Sequence, residues 1–253
     1  MQIAGYNSEA KAWLGAAWDA ALNFVYPPVC QLCAAERAGA GDGYVGGECW
    51  RGVRFVTPPF CDRCGLPYDG EINHTFQCEN CAGEDFGFRF ARSAVTANAM
   101  ILDIIHRYKY NHALWFEPFL ADLLARQAKP ALADEKWDLV VPVPLHPLKL
   151  RQREFNQAER LARCLGRMLN LPVNTRVVRR VQFTQTQTML GRPERAANVS
   201  TAFATRAGSE LQGQRVILVD DVMTTGATTS ACARALRQAG AGDVCVWTVA
   251  RGT

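Results

Sequence analysis

Residues 215–242 read RVILVDDVMTTGATTSACARALRQAGAG. The apolar run Val216, Ile217, Leu218 and Val219 suits a strand buried on both faces. Asp220 and Asp221 stand where that strand is expected to end, and the small, hydroxylated residues Met223, Thr224, Thr225, Gly226, Ala227, Thr228 and Thr229 follow. A helical pattern then runs to a stop at Gly240, and a second apolar run, residues 244–249, completes a βαβ unit. A loop entering a helix N-terminus presents unpaired N–H groups that suit a phosphate. Gly226 allows close backbone approach, and Thr225 and Thr228 add hydroxyl donors. Carboxylates beside an anion site make sense when the ligand also brings hydroxyls or a divalent cation. The combination reads as a site for a ribose 5-phosphate. This stretch has no GK[ST] and no GxGxxG, which excludes a Walker loop and a Rossmann fingerprint here.

The chain has 253 residues and a net charge of +4, unevenly placed: residues 149–195 hold 11 Lys/Arg against 3 Asp/Glu, whereas residues 1–148 hold 12 against 17. A basic block in one segment points to an anionic ligand. No apolar run reaches the roughly 18 residues of a membrane span. Asp19 interrupts the first apolar stretch and no basic segment precedes it, so no export signal is expected and the cytoplasm is the expected compartment.

Seven of the ten cysteines fall between Cys30 and Cys81. In a reducing compartment such clustering favours metal over disulfides. Cys61, Cys64, Cys78 and Cys81 form CxxC–x13–CxxC, the spacing of a zinc ribbon. Cys30 and Cys33 form another knuckle, but Cys49 stands alone because position 46 is Gly46. Two readings stay open for this second group: zinc with a fourth ligand, His74 being one donor in principle, or a metal-free knuckle held by packing of Trp50 and Phe55. Residues 8–26, with Trp13 and Trp18 on one stripe, read as an amphipathic helix.

Residues 92–96 suit a strand, and 100–110 (MILDIIHRYKY) a helix carrying Ile101, Ile104, Ile105 and Tyr108 on its apolar side. His106 and Lys109 on that helix either face the ligand or are structural. A second helix is expected over 115–128, with a loop from Pro130 to residue 136. Residues 137–144 (WDLVVPVP) form a buried strand ending in a stiff turn, and a basic loop with His146, Arg151 and Arg153 leads to a helix over 159–169. Ligands of open α/β sheets bind at such strand ends, and a basic loop there fits a second phosphate. Residues 183–203 read either as a polar lid, from which Arg195 would clamp a leaving group, or as a floppy basic connector.

The run VILVDDVMTTGATT resembles the phosphoribosyl pyrophosphate (PRPP) motif of type I phosphoribosyltransferases. That resemblance implies that Asp220 and Asp221 hold the ribose, that residues 223–228 anchor the 5-phosphate, and that His146, Arg151 and Arg153 face the pyrophosphate with Mg²⁺. Where 6-oxopurine transferases carry an aspartate, this chain has Thr224, which disfavours purine salvage. Together with the cysteine cluster, IIHRYKY, PVPLH, Phe155-Asn156-Gln157 and the run from Thr184 to Asn198, the chain resembles the ComF/GntX family. The family's usual RGFNQ stands here as Arg153-Glu154-Phe155-Asn156-Gln157, with a carboxylate inside the pyrophosphate loop. The resemblance implies an α/β fold, a phosphoribosyltransferase-like parallel sheet flanked by helices, with a small N-terminal zinc-ribbon domain. The expected division is a helix over 1–28, a zinc-binding domain over 29–88 and the transferase-like domain over 89–253. The expected function is PRPP binding with phosphoribosyl transfer to an acceptor, linked to DNA uptake. The alternative is a non-catalytic module that binds PRPP or single-stranded DNA beside a partner ATPase.

Overall fold

The computed structural model describes residues 28–72, 74–182 and 201–252. The expected helix over 8–26 and most of the expected lid, Arg195 included, lie outside them. Four strands, β1 (Phe90–Thr96), β2 (Leu139–Pro142), β5 (Arg215–Met223) and β6 (Asp243–Arg251), form one parallel sheet in the order β1-β6-β5-β2. Two short strands, β3 (Val178–Arg180) and β4 (Phe203–Thr205), pair antiparallel beside it. The helices are α1 (Gly47–Arg51), α2 (Ala99–Tyr110), α3 (Glu117–Leu132), α4 (Pro147–Arg153), α5 (Gln157–Leu169) and α6 (Ala227–Gln238).

Side chains of a strand alternate between faces, and β5 divides its apolar residues accordingly. Ile217 and Val219 pack with α2, α3 and α5, while Val216 and Leu218 pack with α6, β3 and β4. Burial on both faces explains the unbroken apolar runs of β5 and β6. The buried hydroxyls of Ser93 on β1 and Thr248 on β6 satisfy each other at 2.6 Å. The exposed edge of β1 is covered from the cysteine-rich segment: Val56 N–H donates to Ala94 O, and Thr96 N–H to Arg54 O, each at 2.9 Å.

Three local differences from the sequence reading have physical causes. Helix α3 continues through Pro130 because its last turn buries Ala128 and Leu132. The loop after PVPLH contains α4, which His146 caps by accepting from Leu148 N–H at 3.3 Å, with Pro147 preset for the first turn. Helix α5 starts at Gln157, because the Asn156 carboxamide accepts from Ala158 N–H at 3.1 Å.

Helix α4 ends on Glu154 in the left-handed region, at φ 67°. The glycine of the RGFNQ pattern is therefore a backbone requirement of this turn. Its replacement by glutamate strains the chain, and the carboxylate is turned out, 77% exposed and 3.8 Å from His112 Nδ1. Relief of a left-handed side chain, offset by the added freedom of glycine, predicts that Glu154→Gly stabilises the fold by about 1 kcal/mol. Urea unfolding checks this, and a destabilised variant would contradict it.

Candidate functional site

Strand β5 runs past the acid pair to Met223, so Asp220 and Asp221 lie inside its last turn of ladder, 8% and 4% exposed. The chain then turns through Thr224 and Thr225 into Gly226, at φ 79° and ψ 1°, and opens α6 at Ala227. A side chain at 226 would meet both the left-handed backbone and the Met223 methyl, 2.8 Å from an added Cβ. Thr229 faces inward and donates to Gly226 O at 3.0 Å. Thr224 is exposed, and Thr225 and Thr228 are half-buried. The turn thus keeps hydroxyls and the first N–H groups of α6 at its mouth, an arrangement suited to an oxyanion.

The acid pair is charged at a cost. Burial, then the neighbouring Asp221 carboxylate, pushes the Asp220 carboxyl up to about 8. The Lys109 ammonium lies 2.5 Å from Asp221 Oδ2, a close ion pair without the alignment of a directed hydrogen bond. Of the two residues singled out on α2, Lys109 thus reaches the acid pair, whereas His106 is exposed and stacks near Tyr110 at 4.9 Å.

Strand β2 leaves the sheet beside this pair, since Pro142 registers with Val219 and Val143 N–H donates to Val219 O at 2.9 Å. The Asn156 side chain donates to Val143 O at 3.0 Å and so ties the PVPLH turn to the start of α5. Arg153 lies over the Tyr110 ring, 4.8 Å from its centroid, and donates to Gln157 Oε1 at 2.5 Å. Arg151 is exposed on α4. The sequence reading counted Lys149 and Arg180 only within the basic segment 149–195. The Lys149 ammonium is held below its usual range by burial and by the nearby cations Arg180, Arg153 and Lys109. Burial lowers Arg180 as well, and Asp220 opposes that shift. Cations drawn together in this way repel one another, and an anion among them relieves the repulsion. His146, Asn156, Arg179, Arg180 and Arg206 line an adjoining cleft of about 680 Å³. The only signal in the sequence was the positive charge of residues 149–195.

The cysteines converge as two groups. Cys61, Cys64, Cys78 and Cys81 are all buried, with all four Sγ atoms within 4.8 Å of one another and the 61–81, 64–78 and 78–81 pairs at 3.6–3.7 Å. A tetrahedral zinc with Zn–S bonds of about 2.3 Å has sulfur–sulfur edges of about 3.8 Å, so the set fits zinc. Burial opposes ionisation of Cys61, but N–H donors from Cys64 and Cys78 bring its thiol down to about 7. Burial and the Cys64 thiolate push Cys78 up to about 11. A bound cation is what allows all four to be thiolates together. Cys30, Cys33 and Cys49 also come together, and the side chain beside them is Glu36 rather than His74.

The tetrad is wired to the phosphate-type turn through Arg251, 3% exposed at the end of β6. Its guanidinium lies 3.6 Å from Cys64 Sγ and donates to Met223 O at 3.1 Å, Thr224 O at 2.5 Å and Gly252 O. Removing this buried donor leaves its acceptors unanswered and costs about 1–3 kcal/mol. Arg251→Met is expected to lose stability of that order, and stripping zinc from the wild type to loosen residues 223–226. Denaturant unfolding and amide exchange check the two effects, and an Arg251→Met chain of unchanged stability would contradict the link.

Residues 21–82 match the double zinc ribbon domain family and residues 155–252 the phosphoribosyl transferase domain family. Competence protein F of Haemophilus influenzae is 31% identical over 199 residues, covering 76% of this chain and 85% of that protein. Competence protein ComFC of Bacillus subtilis is 30% identical over 200 residues, covering 76% and 78%. DNA utilization protein YhgH of Escherichia coli is 28% identical over 228 residues, covering 89% and 97%. Among solved structures, adenine phosphoribosyltransferase from Saccharomyces cerevisiae is 17% identical over 53% of this chain and 68% of that one, at a TM-score of 0.35, too partial a likeness to argue from. With a parallel sheet, a zinc-fitting tetrad and relatives matched over most of their length, the chain belongs to the competence protein F family and joins a double zinc ribbon to a phosphoribosyltransferase-type domain.

Proposed function

We propose that the chain binds PRPP across the carboxyl ends of β5 and β2 and transfers its phosphoribosyl group to an acceptor. The observation that carries this reading is the order of groups at the carboxyl end of β5: a buried acid pair, with Lys109 2.5 Å from Asp221, and directly after it a left-handed Gly226 turn into a helix. Thr225, Thr228 and the first N–H groups of α6 bind the 5-phosphate. Asp220 and Asp221 accept from the ribose hydroxyls. Lys149, Arg153 and Arg180 receive the diphosphate; Mg²⁺, if carried in with it beside Asp220 and Asp221, would supply further charge neutralisation to the leaving group. Positive charge then developing at the anomeric carbon lies near the acid pair, whose ionised form it favours. His146, Arg151 and, outside the described residues, Arg195 complete the expected diphosphate contacts. The cytoplasm, which keeps thiolate ligands reduced, is the compartment this chemistry suits, and no helix among the described residues is long and apolar enough to cross a membrane.

The names of the relatives, competence protein F and DNA utilization protein, favour a second reading. In it, the site binds PRPP without turnover, or the basic segment holds single-stranded DNA beside a partner ATPase. Pyrophosphate release from PRPP and Mg²⁺ with a panel of bases, amines and oligonucleotides separates the two readings: release supports transfer, and tight binding without release supports the module. DNA held through phosphate contacts would weaken steeply with salt.

Two outcomes are expected of Asp220→Asn. Measured by titration calorimetry above pH 8, where Asp220 is ionised, PRPP affinity falls by about tenfold or more, as for loss of a charged hydrogen-bond acceptor. Stability responds with the opposite sign. The native carboxyl titrates near 8 and the unfolded one near 3.9, so the native state holds the extra proton between those values and wild-type stability falls as pH rises through that window. The variant lacks this loss, so its melting midpoint exceeds that of the wild type at pH 9 by more than at pH 5. A constant gap, or unchanged PRPP affinity, would count against the assignment.

A further inference from the structure

A cleft of about 570 Å³ opens where the cysteine-rich segment meets the C-terminal end of α6. Four arginines line it, Arg63, Arg89, Arg234 and Arg237, against two carboxylates, Asp85 and Asp243. Asp243 is already engaged: Arg89 Nε lies 3.0 Å from it and Arg215 Nη2 3.4 Å. Arg89 also pairs with Glu135. The Asp85 carboxylate accepts from Gly87 N–H at 3.0 Å. None of the ion pairs among the described residues includes Arg63, Arg234 or Arg237.

Neutral groups hold these three cations in place. Arg63 lies within the Cys61–Cys64 knuckle: its N–H bonds the Cys61 sulfur, and its carbonyl accepts from Ala91 N–H at 2.8 Å. Arg234 Nη1 donates to Asp85 O at 2.9 Å and to Ser230 Oγ at 2.8 Å. Gly87, at φ 69°, lets the chain lie against that side chain, since an added Cβ would meet Arg234 Cγ at 2.7 Å. Arg237 Nη1 donates to the carbonyls of Ala241, at 3.3 Å, and Gly242. Arg63 Nε is buried and has no hydrogen-bond partner among the described residues. A buried donor left unanswered is costly, and cations gathered without counter-charge repel one another. An oxyanion relieves both, and the arginine fork matches phosphate oxygens in pairs.

We propose that this cleft binds the phosphate group of a small ligand through Arg63, Arg234 and Arg237. Its volume exceeds the need of a phosphate ion and falls in the range of small-molecule sites, about 300–1,000 Å³, which leaves room for a nucleoside. The cleft stands apart from the site at the carboxyl end of β5. Helix α6 spans 12 residues, about 18 Å, with the Gly226 turn at its N-terminal end and Arg234 and Arg237 in its last turns. The two places can therefore be filled together, and phosphate binding in the cleft is independent of what fills the Gly226 turn.

The test is amide NMR of the isotope-labelled full chain, titrated with inorganic phosphate and with adenosine and uridine mononucleotides. Resonances of Arg63, Gly87, Arg234 and Arg237 are expected to shift in a saturable way. Tighter binding of a nucleotide than of inorganic phosphate would identify the nucleotide as the ligand, and equal binding the free anion; either supports a phosphate site. Arg63→Gln removes the charge and is expected to weaken affinity at these resonances about tenfold or more, with any response at residues 224–230 unchanged. Arg237→Gln, at an exposed position, is expected to weaken it in the same direction and decides the matter if Arg63→Gln does not fold. Shifts confined to residues 224–230, no shift at all, or unchanged affinity in the folded variants would overturn the proposal. So would a single-stranded oligonucleotide that shifts the four resonances when neither phosphate nor mononucleotide does.

Discussion

The guanidinium of Arg251 joins parts of the chain that sequence keeps far apart. A buried arginine is costly unless its N–H groups are answered, and here the two terminal nitrogens meet the Cys64 sulfur and the carbonyls of Met223, Thr224 and Gly252, while Nε has no partner. The contact exists because β5 and β6 pair in the register that sets Met223 against Arg251. It also requires Cys64 to be held in place, which the tetrad does. Sheet register, zinc-type knuckle and the Gly226 turn therefore constrain one another, and the cysteine-rich segment acts as a structural support of the site.

The same logic extends across the sheet. The tetrad packs in the core that contains α6, and the Cys30 group packs against the core that contains α3. Between them, residues 54–56 cover the outer edge of β1. A four-stranded parallel sheet exposes two edges and needs cover on both faces. The short cysteine-rich segment, too small to build a core of its own, provides cover on one edge and both faces.

The βαβ unit at residues 215–251 was legible because a strand buried on both faces, a left-handed glycine turn and an amphipathic helix each leave a distinct local pattern. The tetrad was legible from spacing alone. The cationic cluster was not, because Lys109 on α2, Lys149 and Arg153 on α4 and Arg180 on β3 come from three separate segments and only the sheet's topology gathers them. Glu36 was missed for a related reason: a carboxylate three residues after a cysteine has no periodic signature, and its meaning lies in the space left by Gly46. Glu154 looked like a charge inside an anion loop. Its backbone angle shows that the position selects for conformation and that the carboxylate points to solvent. Short helices such as α4 escape periodicity because caps and a proline specify them, with no apolar face of their own.

Amide hydrogen exchange of the zinc-loaded full chain, with and without PRPP and Mg²⁺, tests the central claim most directly. Exchange is expected to slow at residues 224–230, where the turn enters α6, and at residues 146–153, with little change in the Cys30 group. Protection confined to other segments, with the amides of 224–230 unaffected at saturating ligand, would contradict the assignment of this turn as the phosphate site.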